Sequence, residues 1–422
     1  MSESMPVTTG AEATIKAVDP WSIPLDEINV SDPMLYKTDT HWPYFERLRK
    51  EDPVHYCKES VFGPFWSITK FNDIMQADKN HQDLSSVGGV SIGDRPPDFE
   101  TPNFISMDPP KHGDQRKAVT GVVAPDNLAK LEPIIRERAA KILDELPVGE
   151  TFDWVDRVSI ELTTQMLATI FDFPFEERRK LTAWSDLATS TVATGGTMPE
   201  ESRREGLLEC LEYFTRLWNE RVKWDPAEHY DLITMMAHSP ATKNMTPMEY
   251  LGNLILLIIG GNDTTRNSIS GGVYALNKFP AEYDKLRENP GLIPNMIPEI
   301  IRWQTPLTHM RRRAINDVEI NGKLIRKGDK VVMWYVSGNR DEEVIDRPND
   351  FIIDREKPRH HLSFGFGIHR CMGNRLAEMQ LRTIWEEIHK RFRNIEVMGE
   401  PVRVASNFVR GYAELPVQVH PR

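Results

Sequence analysis

A chain of 422 residues carries 63 acidic against 52 basic side chains, a formal net charge of -11. That balance argues against a phosphate backbone as its main partner, and nucleic-acid binding is set aside. Hydrophobic content of 40% and charged content of 27% describe a globular chain, and its length calls for several ordinary domains or one large helical domain around something buried.

In chain order, "MSESMPVTTGAEATIKAVDP" has no apolar run flanked by basic residues. It reads as neither signal peptide nor membrane anchor, so residues 1–20 are expected to be a flexible tail and the protein cytoplasmic. Cys57, Cys210 and Cys371 lie far apart, which is no disulfide framework and suits a reducing compartment. With no repeat or Gly/Ser linker, residues 21–422 are read as one domain. "PVHYC" and "PFWSIT", around Gly63-Pro64, predict a small sheet, and a Gly/Pro-rich loop follows, "SSVGGVSIGDRPPDFETPNF".

From about Asp126 to Asn277 the spacing is mostly helical, with Leu128, Leu131, Ile134, Ile135, Ala139 and Ile142 on one face. The longest helix should start at Thr246-Pro247-Met248-Glu249, where Thr caps, Pro takes the first position and Glu completes a capping box. About 30 residues, to Asn277, give roughly 45 Å, enough to cross a domain. Its "LGNLILLIIGG" section is apolar all round yet too short to span a bilayer, so it predicts a central buried helix. Asn321-Gly322 then predicts a type I′ hairpin. The last helix, "GNRLAEMQLRTIWEEIHKRF", places Leu376, Met379, Gln380, Thr383, Ile384 and Glu387 along one side.

Just before that helix stands "HLSFGFGIHRCMGN". Helix N-terminal and loop N–H groups near Cys371 can stabilise a thiolate, and a thiolate can hold a metal. Gly365, Gly367 and Gly373 allow the backbone to turn closely around the sulfur, while Phe364 and Phe366 can wall it from water. The plain alternative is a small buried cysteine in a loop.

"FGFGIHRCMG" closely resembles the haem-binding loop of the cytochrome P450 superfamily, with Phe364, Gly367, Cys371 and Gly373 at the pattern's Phe, Gly, axial Cys and Gly. The other motifs of that superfamily follow in order over most of the chain. The resemblance implies a mainly α fold: a large helical domain with a small β-rich region, and haem b buried between the long central helix and the cysteine loop. "GGNDTT" looks like the oxygen-activation motif. Gly260 and Gly261 would let the helix lie against a flat ring, the Thr264 hydroxyl would open a local kink, and Asp263 and Thr264 would relay protons. The alternative for Asp263 is a salt bridge to Arg266, and for Thr264 a bond back to the helix. Glu299 and Arg302 resemble the ExxR pair, with Arg355 as the third member and a structural role. For the two haem propionates the resemblance implies His112, Arg116, Arg312 and His369, Arg312 being chosen over Arg311 and Arg313 by its position before Ala314.

The implied reaction is oxygen insertion from O2, with NAD(P)H electrons delivered by an iron–sulfur ferredoxin and a flavin-dependent ferredoxin reductase. Arg370 and Arg375 are candidates for the ferredoxin-facing patch. "GGNDTTRNSISGG", "EIIRWQTPLTHMRR", "KVVMWYVSGNRDEE" and "PRHHLSFGFGIHRC" resemble the bacterial subgroup that hydroxylates the terminal methyl of medium-chain alkanes and fatty acids. By motif offset the substrate residues are Leu256, Ile259, Leu307, Thr308 and Phe408, with the channel entrance near Val90 and Gly195-Gly196. A sterol side chain or terpenoid is the alternative substrate. A non-catalytic haem protein, or a zinc site drawn from His360, His361, His369 and Cys371, is the remote one.

Overall fold

The computed structural model describes residues 18–191 and 198–422. Residues 1–17 of the expected tail fall outside this range. Its last residues are tied down: the Val18 carbonyl accepts from Tyr44 Oη at 2.8 Å and the Pro20 carbonyl from Arg47.

The β region is built as the turn signals require. Strands β1 (Val54–Cys57) and β2 (Phe65–Ile68) pair antiparallel around Gly63, which has a φ of 72°. They continue into a five-stranded sheet with β3 (Leu84–Ser85), β4 (Met310–Ala314) and β7 (Lys330–Met333), in the order β1-β2-β7-β4-β3. Between β4 and β7, β5 (Val318–Ile320) and β6 (Lys323–Ile325) form the hairpin at Asn321-Gly322. Both turn residues have positive φ, 50° and 74°, as a type I′ turn demands.

The rest is dominated by helices, of which eight position the site: α1 (Phe71–Lys79), α2 (Lys111–Thr120), α3 (Glu161–Phe171), α4 (Arg179–Thr189), α5 (Glu200–Arg221), α6 (Pro247–Lys278), α7 (Ile293–Gln304) and α8 (Asn374–Arg391). The periodic helix before α3 is Pro125–Asp144, and it buries every residue of the expected face except the half-buried Ile134.

Helix α6 is 32 residues long. Thr246 Oγ1 accepts from the Glu249 N–H at 3.3 Å, so the cap forms as expected. The reciprocal half of the capping box does not form. The Glu249 carboxylate takes Lys111 Nζ at 2.8 Å and the Gln115 amide instead, because α2 offers it a cation and a donor. The N-terminal half of α6 buries Leu251, Leu254 and Ile258 against Leu207 and Phe214 of α5. The C-terminal half buries Ile269, Val273 and Leu276 in a second core with Ile300 of α7 and Ile384 and Trp385 of α8. One helix thus joins two cores, and the stretch between them meets the cavity.

Candidate active site

The cysteine loop owes its shape to two glycines in the left-handed region, Gly365 at φ 65° and Gly367 at φ 67°. A Cβ on Gly367 would sit 2.8 Å from the Asp78 carbonyl oxygen, so α1 closes on bare backbone. The Cys371 N–H then donates to the Phe364 carbonyl at 2.8 Å and ties off the loop. The sulfur is open to the central cavity and enclosed by protein elsewhere. Burial pushes its thiol pKa up, against the opposing pull of the Gly373 N–H, Arg116, Arg370 and the Asn374 N–H. Those N–H groups at the start of α8 are the donors that the sequence placed near the sulfur. Phe364 and Gly373 share the cavity wall with it.

Across the cavity α6 runs without a break. A Cβ on Gly260 would meet nothing within 4 Å, whereas one on Gly261 would meet Leu167 Cδ2 of α3 at 2.7 Å. Gly260 therefore supplies the flat approach, and Gly261 also serves packing. Thr264 lines the cavity and its Oγ1 donates to the Gly260 carbonyl at 3.0 Å, with the helix around it intact. Asp263 is on the same turn but is not part of the cavity wall. One carboxylate oxygen faces Arg266 at 2.9 Å and the Asn262 amide at 3.1 Å, and Oδ2 is buried with no hydrogen-bond partner among the described residues. Burial pushes this carboxyl above its ordinary range, although Arg266 pulls it down. The salt-bridged alternative is what the side chain adopts here.

The expected propionate residues divide. Arg312 is buried in the cavity wall; its Nη2 donates to Asp78 Oδ1 and its Nη1 to the Arg311 carbonyl, both at 2.8 Å, leaving Nε without a partner among the described residues. Arg311 turns to the Gly89 carbonyl and Asp94, and Arg313 is largely solvent-facing, so Arg312 is the one of the three in the wall. Arg116 also lines the cavity, with Nη2 on the Arg370 carbonyl at 2.6 Å. His369 lines it too: Nε2 meets Ser86 Oγ at 3.0 Å, and Nδ1 is buried with no partner among the described residues. Burial, reinforced by Arg312, His112 and Arg116, drives the His369 pKa down to about 2. His112 is a correction: it is not in the wall. Its two ring nitrogens meet the Phe104 carbonyl at 2.7 Å and the Ile368 carbonyl at 3.1 Å, making it a strut between the cysteine loop and the segment before α2.

The carboxylate trio forms in full. Glu299 receives Arg302 Nε and Nη2, both at 2.8 Å, and Arg355 Nε at 3.0 Å and Nη2 at 3.2 Å. Glu299 and Arg302 are completely buried. Arg302 Nη1 also donates to the carbonyls of Asn339 at 2.9 Å and Pro348 at 2.7 Å, so the trio staples α7 to the irregular segment leading into the cysteine loop.

The cavity is about 650 Å³. Leu256, Ile259, Leu307 and Phe408 line it, and so does Val90. Thr308 does not: fully buried, its Oγ1 donates to the Asn407 carbonyl, since only one of two successive residues in this extended stretch can face inward. Gly195-Gly196 lies outside the described residues. Sequence reasoning missed Asp78, whose carboxylate gathers Arg312, Tyr335 Oη at 2.8 Å and the Phe366 N–H at 2.7 Å. An aspartate at the end of a short helix carries no local sign of partners more than 230 positions away. Among the described residues no three His, Cys, Asp or Glu side chains converge to hold a metal.

These features fit haem. Cys371 offers a sulfur backed by N–H donors, Gly260 leaves a bare surface opposite, and donors for carboxylates come from Arg116 in the wall and from His369 Nδ1 and Arg312 Nε, which have no partner among the described residues. The family model for "Cytochrome P450" matches residues 212–410. The chain is 32% identical to linalool 8-monooxygenase of Pseudomonas putida, covering 94% of this chain and 100% of that protein. The chain belongs to the cytochrome P450 family. Like other P450s, it is a haem- and O2-dependent monooxygenase drawing electrons from partner redox proteins. This P450 is also 27% identical to the methyl-branched lipid omega-hydroxylase of Mycobacterium tuberculosis, over 98% of this chain and 99% of that one. The structure of cytochrome P450-153 from Novosphingobium aromaticivorans is similar to it at a TM-score of 0.87 and 45% identity, covering 95% of this chain and 100% of that chain. No helix among the described residues of this P450 is long and apolar enough to cross a membrane.

Proposed function

We propose that this P450 hydroxylates the terminal methyl group of linear medium-chain alkanes or fatty acids. The observation that carries this reading is the cavity wall: Leu256, Ile259, Leu307 and Phe408 share it with Gly260, Thr264 and Cys371, so an apolar chain end can be held at the face where oxygen is activated. Terminal C–H bonds are stronger than their methylene neighbours, and only confinement of the chain end overcomes that difference. Likeness to a protein named as a lipid omega-hydroxylase supports the same site of attack.

The haem, iron protoporphyrin IX ligated by the Cys371 thiolate, supplies O–O cleavage and C–H oxidation when bound. Arg116, Arg312 and His369, which line the cavity, would hold its propionates. One oxygen atom enters the C–H bond and the other leaves as water, consuming two electrons and two protons. The apolar wall excludes bulk water, and Thr264 Oγ1 holds the proton nearest the cavity. Asp263 would resupply it once it lets go of Arg266 and takes up a proton from solvent. Electrons arrive from NAD(P)H through a flavin-dependent reductase and an acidic iron–sulfur ferredoxin, which docks on the exposed Arg370 and Arg375. Neither arginine has a carboxylate partner within salt-bridge distance among the described residues. Replacing Thr264 by alanine is expected to raise peroxide release per NADH consumed several-fold; unchanged coupling removes Thr264 from the proton path.

A terpenoid is the second reading, favoured by the likeness to linalool 8-monooxygenase. Optical titration with octane, dodecanoic acid, a terpene and a sterol separates the two. The linear chains are expected to shift the Soret band from low to high spin, whereas a response to terpene or sterol alone overturns the linear reading.

A further inference from the structure

Besides the groups around Cys371, the loop between β3 and α2 and the start of α5 bring four more charged side chains to the cavity wall: Asp94, Arg95, Glu200 and Arg203. Three of them are neutralised inside the protein. Asp94 is held by Arg311, by Lys330 Nζ at 3.1 Å and by Arg313 at 3.4 Å. Glu200 grips Arg203 through Nε and Nη2, both at 2.7 Å, and takes Arg204 Nε at 2.9 Å.

Arg95 has no carboxylate within salt-bridge distance among the described residues. Its hydrogen bonds run from Nη1 alone, to the Thr101 carbonyl at 2.7 Å and to Ser106 Oγ at 3.4 Å. Nε and Nη2 have no partner among the described residues. Glu100 attracts it only at longer range, and burial together with the neighbouring Arg311 charge lowers its pKa to about 10, which leaves it cationic at neutral pH. The crowding of positive charge is visible at Gly89, where a Cβ would lie 3.3 Å from Arg311 Nη2 and 3.6 Å from Arg95 Nε. Arg311 Nη2 is itself buried with no partner among the described residues. Among the described residues Asp94 alone pairs with Arg311, Arg313 and Lys330, and it does not reach Arg95. A partly desolvated guanidinium in an apolar wall is costly unless an anion meets it, and two free N–H groups of one guanidinium suit a carboxylate.

We propose that Arg95 binds the carboxylate of the substrate, so that this P450 prefers fatty acids to alkanes and receives them methyl end first. This deepens, and rests on, the linear-chain reading above. The carboxylate pairs with Nε and Nη2, while Nη1 stays braced on the Thr101 carbonyl and fixes the fork. The alkyl chain then lies along the wall of Leu256 and Ile259, with its far end over Gly260 and Thr264.

The test is a Soret spin-shift titration of the holoenzyme with dodecanoate, its methyl ester and octane, in the parent protein, Arg95→Gln and Arg95→Lys. In the parent, Kd for dodecanoate is expected to be about tenfold below that for the ester, the scale of one charge-assisted pair. Arg95→Gln brings the acid-to-ester ratio to about one, and Arg95→Lys retains part of the difference. Equal Kd values for acid and ester in the parent overturn the anchor, and that comparison decides the matter even when a variant fails to load haem. A ratio unchanged in Arg95→Gln also overturns it, reducing Arg95 to a brace for Thr101. Strong octane binding without acid preference defeats the anchor alone, whereas no shift with any linear ligand defeats the linear-chain reading as well.

Discussion

Replacing Cys371 by serine abolishes the thiolate-type Soret band of the reduced, carbon-monoxide-bound protein and lowers turnover below detection. Sulfur bound to iron donates electron density that favours O–O cleavage, and a serine hydroxyl does not match it in softness or acidity. The substitution leaves the scaffold in place. The loop is closed by the Cys371 backbone N–H on Phe364, and the two glycine turns do not depend on the side chain. The Gly373 and Asn374 N–H groups, Arg116 and Arg370 still surround the position. Far-UV circular dichroism should therefore match the parent while the carbon-monoxide difference spectrum changes. Survival of the thiolate band in the variant would falsify the ligand assignment.

Replacing Glu299 by glutamine destabilises the protein by about 3–5 kcal/mol, the cost of stranding buried charge when one partner is removed. Two guanidinium groups converge on this carboxylate, and among the described residues neither has another acid within salt-bridge distance. Urea unfolding followed by tryptophan fluorescence and by haem absorbance measures the loss; a change under about 1 kcal/mol contradicts the role given to the trio. The pH dependence has a definite sign. Burial raises the Glu299 pKa, but Arg302 and Arg355 outweigh it and hold the carboxyl below its ordinary value. Its contribution is therefore complete above the ordinary carboxylate range and is lost as pH falls through the depressed folded value. Acid unfolding of the parent should include this step, and Glu299→Gln should lack it.

Features written in neighbouring residues were legible before the structure: the Thr246-Pro247 cap, the Asn321-Gly322 turn and the cysteine loop. The Glu299, Arg302 and Arg355 trio was legible through family resemblance, since an i,i+3 pair alone says little. What stayed hidden depends on which way a side chain turns once its surroundings exist. The spacing of His112 and Arg116 puts both on one helix face, yet Arg116 reaches the cavity while His112 is consumed by two carbonyls. Leu307 and Thr308 are adjacent, and only the pairing of their segment with residues 407–409 decides that the leucine faces inward. Glu249 left its capping box for Lys111 and Gln115, groups that sit far back in the chain. Asp78 and Arg95 matter through partners present or absent in space, which no local pattern records.

The long helix α6 has a further consequence. Leu256, Gly260, Thr264 and Ser268 all meet the cavity, one every four residues, while Asn262, Asp263 and Asn267 face the protein. Each residue advances an α-helix by about 100°, so the helix acts as an angular ruler anchored at the Thr246 cap. The number of residues between the cap and Thr264 sets which side chains the substrate meets. Within that interval composition can drift, but the count is part of the chemistry.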